Sequence, residues 1–116
     1  MILNGGEHEG HRFLKPESIA EMTRSQTGDL KAGFVPGSAY GLGWIRVVEP
    51  SGSTASLSPG SFGHGGAYGT QAWIDPVKNH YTILMIQCSK LGERNNSETI
   101  RFFHQSAAKR TAPDAE

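Results

Sequence analysis

The chain has 116 residues, enough for one domain and too few for two. Its 11 basic and 11 acidic residues cancel, which excludes the large single-sign field that nucleic-acid or membrane-surface binding draws on. Only 36% of residues are hydrophobic while 15 are glycine, so any core must be assembled from a few apolar-rich segments.

In chain order, the first segment reads as the last turn of a helix ending at "LNGG", with Asn4-Gly5-Gly6 as a stop and polar residues following to Arg12. "KPESIAEMTRSQTG" predicts a short helix. Pro16 suits the first helical position, Glu17 favours the positive end, Ile19 and Met22 share a face, and Gly28 is the stop. Asp29 to Ser38 reads as loop. "AYGLGWIRVVE" alternates with the period of a strand, Tyr40, Leu42 and Trp44 on one face, its glycines marking a bulge or close approach. "EPSGSTASLSPGS" is a connection.

"YGTQAWID" and "HYTILMIQC" predict two strands joined by a hairpin turn at "PVKN". Tyr81 to Ile86 is almost continuously apolar, the pattern of a central strand covered on both faces. "NNSETIRFFHQSAAK" predicts a terminal helix, with Asn95 and Glu98 at capping-box spacing and Ile100, Phe103 and Ala107 along one side. Residues 111–116 read as a disordered tail. The sum is an α+β arrangement, an antiparallel sheet with flanking helices. Two helices are too few to cover both faces of the sheet, so apolar surface is expected around Trp44, Trp73 and Ile83.

Among candidate chemical groups, the single cysteine, Cys88, excludes an intramolecular disulfide and sits in an apolar run, as a buried inert thiol would. His8 and His11 lie in a polar loop without the third and fourth converging ligands that zinc requires, so no metal is expected. His80 reads as structural and His104 as a surface residue of the terminal helix. "GxxGT" around Tyr68 lacks the Gly-Lys-Ser/Thr ending of a phosphate loop. There is no run of about 18 apolar residues and no signal-peptide pattern at the start.

His64 stands apart because Gly63, Gly65 and Gly66 leave the backbone around it unshielded, with Ala67 small beside it. Exposed amides beside an ionisable side chain suit an oxyanion-stabilising wall. The same glycines equally permit a plain bulged strand with His64 as a surface group, and spacing alone favours that second reading. Nothing nearby supplies a nucleophile: Ser25, Ser38, Ser51, Ser53, Ser56, Ser58 and Ser61 sit in loop-like sequence without an adjacent general base, and the chain as a whole is expected to lack both S-x-x-K and G-x-S-x-G.

The ordered strings "LNGGEHEGHRFLKPESIAEMTRSQ", "YGLGW", "FGHGGAYGTQAWIDP", "YTILMIQ" and "ETIRFF" resemble the C-terminal part of the serine β-lactamase-like superfamily. That group includes class C β-lactamases, D,D-peptidases, D-aminopeptidases and related esterases. The resemblance runs from about Ile2 to Phe103 and implies a serine hydrolase performing acyl transfer on an ester, amide or lactam, without cofactor. It implies that His64-Gly65-Gly66 is an H-x-G variant of the third family motif. His64 and the Ala67 amide would then act catalytically, the amide as one of two oxyanion donors, with Gly65, Gly66 and Tyr68 lining the substrate.

The first two family motifs find no match: Tyr40 and Tyr68 lack the Tyr-x-Asn pattern, and no nucleophilic S-x-x-K precedes them. Residues 1–110 are therefore expected to be the C-terminal segment of an incomplete domain, silent alone. Its partners would be a small-molecule or peptide-like substrate and either the missing N-terminal portion or a second copy. The alternative is a non-catalytic binding or assembly module derived from the same fold.

Overall fold

A computed structural model describes residues 1–30, 36–91 and 96–110. Its centre is a five-stranded antiparallel sheet in simple sequence order: β3 (Ser38–Tyr40), β4 (Ile45–Val47), β5 (Phe62–Gly65), β6 (Gln71–Asp75) and β7 (His80–Leu84). Before it come a two-stranded hairpin, β1 (Glu7–His8) with β2 (His11–Arg12), and the helix α1 (Pro16–Thr23). After it comes α2 (Glu98–Arg110). The chain is thus α+β, as its pattern of elements predicts.

Register explains the core. Directly paired residues share a face of a sheet, and one row runs across all five strands: Tyr40, Ile45, Gly63, Trp73, Thr82. On this face Ile45, Val47, Leu57 and Trp73 form the buried cluster, with Tyr40 against it. The neighbouring rows, Ala39–Arg46–Phe62–Ile74–Tyr81 and His64–Ala72–Ile83, point the other way. That second face is closed on one side only. The end of α1 reaches it where Arg46 donates to the Thr23 carbonyl at 3.1 Å, and Trp44 meets Phe62 edge-on at 5.6 Å. On the β7 side Tyr81 and Ile83 are exposed.

Several expectations are corrected. α1 ends at Thr23 rather than at Gly28, because Arg24 turns extended at ψ 159° and Gln26 N–H is drawn to the Tyr40 carbonyl at 2.7 Å. "AYGLGWIRVVE" is two strands, since Gly41 N–H bonds the Trp44 carbonyl and Gly43, at φ 78°, turns the chain back. β7 is an edge strand among the described residues, not a central one covered on both faces: Tyr81, Ile83 and Met85 stand 67%, 56% and 80% exposed. Trp73 is buried rather than exposed, because α2 covers its face; Trp44 is half-buried. Cys88 is half-exposed. His104 is buried at 1% exposure rather than lying on the surface of its helix.

The hairpin predicted at "PVKN" is present, and its turn is held by a buried carboxylate. Asp75 accepts from the backbone N–H groups of Ser58 (2.9 Å), Val77 (3.1 Å) and Lys78 (3.0 Å), with the Lys78 ammonium 3.6 Å away. Burial by itself raises the Asp75 carboxyl, but the N–H donors of Lys78 and Ser58 outweigh it and hold the group below its ordinary value. Its stabilisation is therefore present above the ordinary carboxylate range and fades as pH falls through the depressed value. Asn95 and residues 111–116 lie outside the described residues; at the start of α2, Ser97 Oγ accepts from the Ile100 N–H at 3.4 Å. Asp75→Ala removes the acceptor of three part-buried N–H groups at once, so urea denaturation at neutral pH should show a loss of about 1–3 kcal/mol; a loss under about 0.5 kcal/mol would remove Asp75 from this role.

Candidate active site

The segment singled out by sequence occupies the end of β5 and the turn into β6. Its glycines are dictated from within. A Cβ on Gly63 would enter the Ala72 carbonyl and the ring of Trp73, its direct partner across the β5–β6 pair. A Cβ on Gly65 would meet the Gln71 amide at 2.7 Å, and one on Gly66 would collide with Thr70 Oγ1. Packing alone thus requires these glycines, and the β5–β6 register runs from Phe62 to Gly65 without the bulge that their presence suggests in the sequence.

What that packing leaves outside is the chemically interesting part. His64 is exposed, and its Nδ1 lies 2.7 Å from the Gly65 carbonyl oxygen. A carbonyl only accepts, so in this contact Nδ1 is the donor, and the tautomer this selects leaves Nε2 as an acceptor with no partner among the described residues. The Tyr40 ring meets the imidazole edge-on at 6.2 Å, fixing it from the side. The turn beyond is held at three points: Gly66 N–H to the Thr70 carbonyl at 2.7 Å, Gly69 N–H to the Gly66 carbonyl at 3.2 Å, and Cys88 N–H to the Tyr68 carbonyl at 2.9 Å. The Ala67 N–H, in the middle of this braced turn, donates to no acceptor among the described residues. Tyr68 beside it is 59% exposed. Behind Ala67 lies a cavity of about 130 Å³ reached by Gly66, Gln71, Cys88 and Ile100.

The structure therefore brings His64, Gly65, Gly66, Ala67 and Tyr68 into one short surface. Three supporting residues escaped the sequence reading: Thr70, Gln71 and Trp73. The alternation of "QAWID" was the signal, because it puts Gln71 and Trp73 on one face, where Trp73 Nε1–H donates to Gln71 Oε1 at 2.8 Å and orients the amide against Gly65.

A fourth oversight concerns serine. Ser106 and Lys109 do stand in S-x-x-K spacing, exposed on α2. They stand on α2, which packs against Trp73 through His104, whereas the register puts His64 on the alternate row of the sheet. Among the described residues no three His, Cys, Asp or Glu side chains gather as metal ligands do, and no helix is long and apolar enough to cross a membrane.

With the geometry in view, comparison with known proteins is decisive. The profile of the beta-lactamase family matches residues 4–104. The chain belongs to the beta-lactamase family. A Salmonella gallinarum (strain 287/91 / NCTC 13346) protein named "Putative D-alanyl-D-alanine carboxypeptidase" is 33% identical over 90 residues, covering 74% of this chain and 18% of that protein. An uncharacterised protein of Mycobacterium tuberculosis (strain CDC 1551 / Oshkosh) is 33% identical over 97 residues, covering 75% of this chain and 24% of its own. The matched stretch thus spans 18% to 24% of the length of these relatives. Ser106 and Lys109 fall beyond the matched residues.

The collision at Gly66 is testable apart from any activity. Gly66→Ala should lower stability by about 1–3 kcal/mol through overpacking against Thr70. Adding Thr70→Ala should restore part of it in a double-mutant cycle read by urea denaturation. Strict additivity of the two changes would show that Thr70 is not what excludes a side chain at position 66.

Proposed function

We propose that this chain is the C-terminal part of a β-lactamase-like serine hydrolase and supplies one wall of its acyl-transfer site. His64-Gly65-Gly66 forms the third motif of that site, and the Ala67 N–H is one of its oxyanion donors. The observation that carries the reading is an amide with no internal acceptor, held in a turn braced at three points, beside an imidazole whose Nε2 is left bare. A donor fixed before the substrate arrives needs no reorganisation as negative charge develops on the carbonyl oxygen, and that is where such a group exerts its effect. Nε2 acts as a hydrogen-bond acceptor for a hydroxyl of the substrate or of the neighbouring catalytic motif. Tyr68 and the glycine backbone line the acyl group.

The nucleophile and its base come from polypeptide outside these residues, which is consistent with the chain matching under a quarter of each relative described above. We place that polypeptide on the open side of the sheet, where His64, Ala72 and Ile83 share a face and Tyr81 and Ile83 are exposed. The name of the Salmonella relative supports peptide ends terminating in D-alanine as the substrate class, with esters and lactams as chemical equivalents.

The test uses two proteins. The chain alone should not turn over nitrocefin or p-nitrophenyl acetate. A chimera carrying residues 4–104 in place of the matching stretch of the Salmonella gallinarum relative should release D-alanine from a D-alanyl-D-alanine peptide. In the chimera, Ala67→Pro removes the proposed donor and should lower kcat by about a hundredfold or more. Turnover by the chain alone, a folded but inactive chimera, or a chimera indifferent to Ala67→Pro would each contradict the proposal.

A further inference from the structure

The helix α2 is held to the sheet by an unusually small set of side chains. Only Ile100 and His104 are buried along its 13 residues, one turn apart on the same face. Half of this anchor is therefore an ionisable group. His104 is 1% exposed, packs edge-on against Trp73 at 6.1 Å and touches Phe103. Among the described residues neither of its ring nitrogens has a hydrogen-bond partner, and Nδ1 of His80 and Oγ1 of Thr82 on β7 are likewise buried without one. A neutral imidazole tolerates such a site at moderate cost, whereas an imidazolium with no counter-charge does not.

The ionisable groups facing it make the site still less hospitable to a proton. From β7 comes His80, whose own positive charge opposes that of His104. The short 3-10 turn Gly52–Thr54, which also packs on α2, offers only hydroxyls. On β6 the acidic group is Asp75, and its oxygens are occupied by Ser58, Val77 and Lys78. No carboxylate is free to pair with a protonated His104 among these elements.

We propose that α2 is an acid-released latch, in which protonation of His104 undocks the helix from the sheet while β5 and β6 stay folded. Ile100 lines the cavity behind Ala67, so release of α2 removes part of the support of that turn. This last consequence rests on the acyl-transfer reading, whereas release of the helix does not. Burial, reinforced by His80, lowers the His104 pKa from its ordinary 6.5 to about 4. The sign follows from linkage. Docking is fully stabilised by this group above pH 6.5, where both docked and released helices carry a neutral ring. It weakens as pH falls from 6.5 towards 4, where only the released form takes up the proton.

Hydrogen exchange on the intact chain tests the latch without reference to catalysis. Between pH 7.5 and 5.0 the protection factors of α2 amides should fall by about thirtyfold, corrected for intrinsic rates, while those of β5 and β6 fall much less. His104→Leu should abolish that fall, with His104→Gln as the substitute if the leucine variant does not fold. Ile100→Ala should weaken docking at every pH and keep the pH dependence. An unchanged fall in His104→Leu, a parallel loss across β6, or an NMR titration of His104 at an ordinary pKa would overturn the proposal. If α2 responds as expected and the chimera is inactive, the latch stands and the acyl-transfer reading alone fails.

Discussion

The position of one indole organises both the core and the candidate site. Trp73 lies across Gly63, packs against His104 of α2 and donates its Nε1–H to Gln71. A ring this large can occupy the middle of a five-stranded sheet only if the neighbouring strand yields the space of a side chain, and Gly63 does so. The same ring then fixes Gln71, whose amide occupies the space a Cβ at Gly65 would need. From there Thr70 imposes glycine at position 66. The sequence of constraints runs outward from the core to the turn that carries Ala67.

This ordering reconciles two explanations of the glycines around His64. Packing against Trp73, Gln71 and Thr70 accounts for each missing side chain, and it also leaves the outer surface of the strand bare. The exposed outer surface and the internal packing are two consequences of one arrangement. Bracing is the other half of the matter. Cys88 N–H ties the turn to the segment after β7, so the Ala67 amide is aimed by contacts on both sides of the sheet hairpin.

Much of this was legible in the residues. "QAWID" alternates cleanly and "PVKN" is compact, so the β6–β7 hairpin is legible directly, whereas only Ile100 of the side expected for α2 is fully buried. The failures have physical causes. Gly41 and Gly43 disguised a hairpin as one alternating strand, because period-2 counting cannot see a left-handed residue. The apolar run Tyr81 to Ile86 has the pattern of a strand covered on both faces, yet among the described residues one side of β7 stays open. Polarity alone puts His104 on the surface, although its i, i+4 relation to Ile100 places it on the docking face. The role of the Ala67 amide could be inferred only from family resemblance, since no side chain announces a free N–H.

The most direct test of this account is an amide-resolved NMR comparison of the intact chain with Trp73→Phe, which keeps an aromatic ring but deletes the bond to Gln71. If Trp73 positions the turn, the amide resonances of Gly65, Gly66 and Ala67 should shift together while those of the β1–β2 hairpin stay in place. Shifts confined to the immediate neighbours of position 73, with Gly65 to Ala67 unmoved, would show that the turn is set independently of the core.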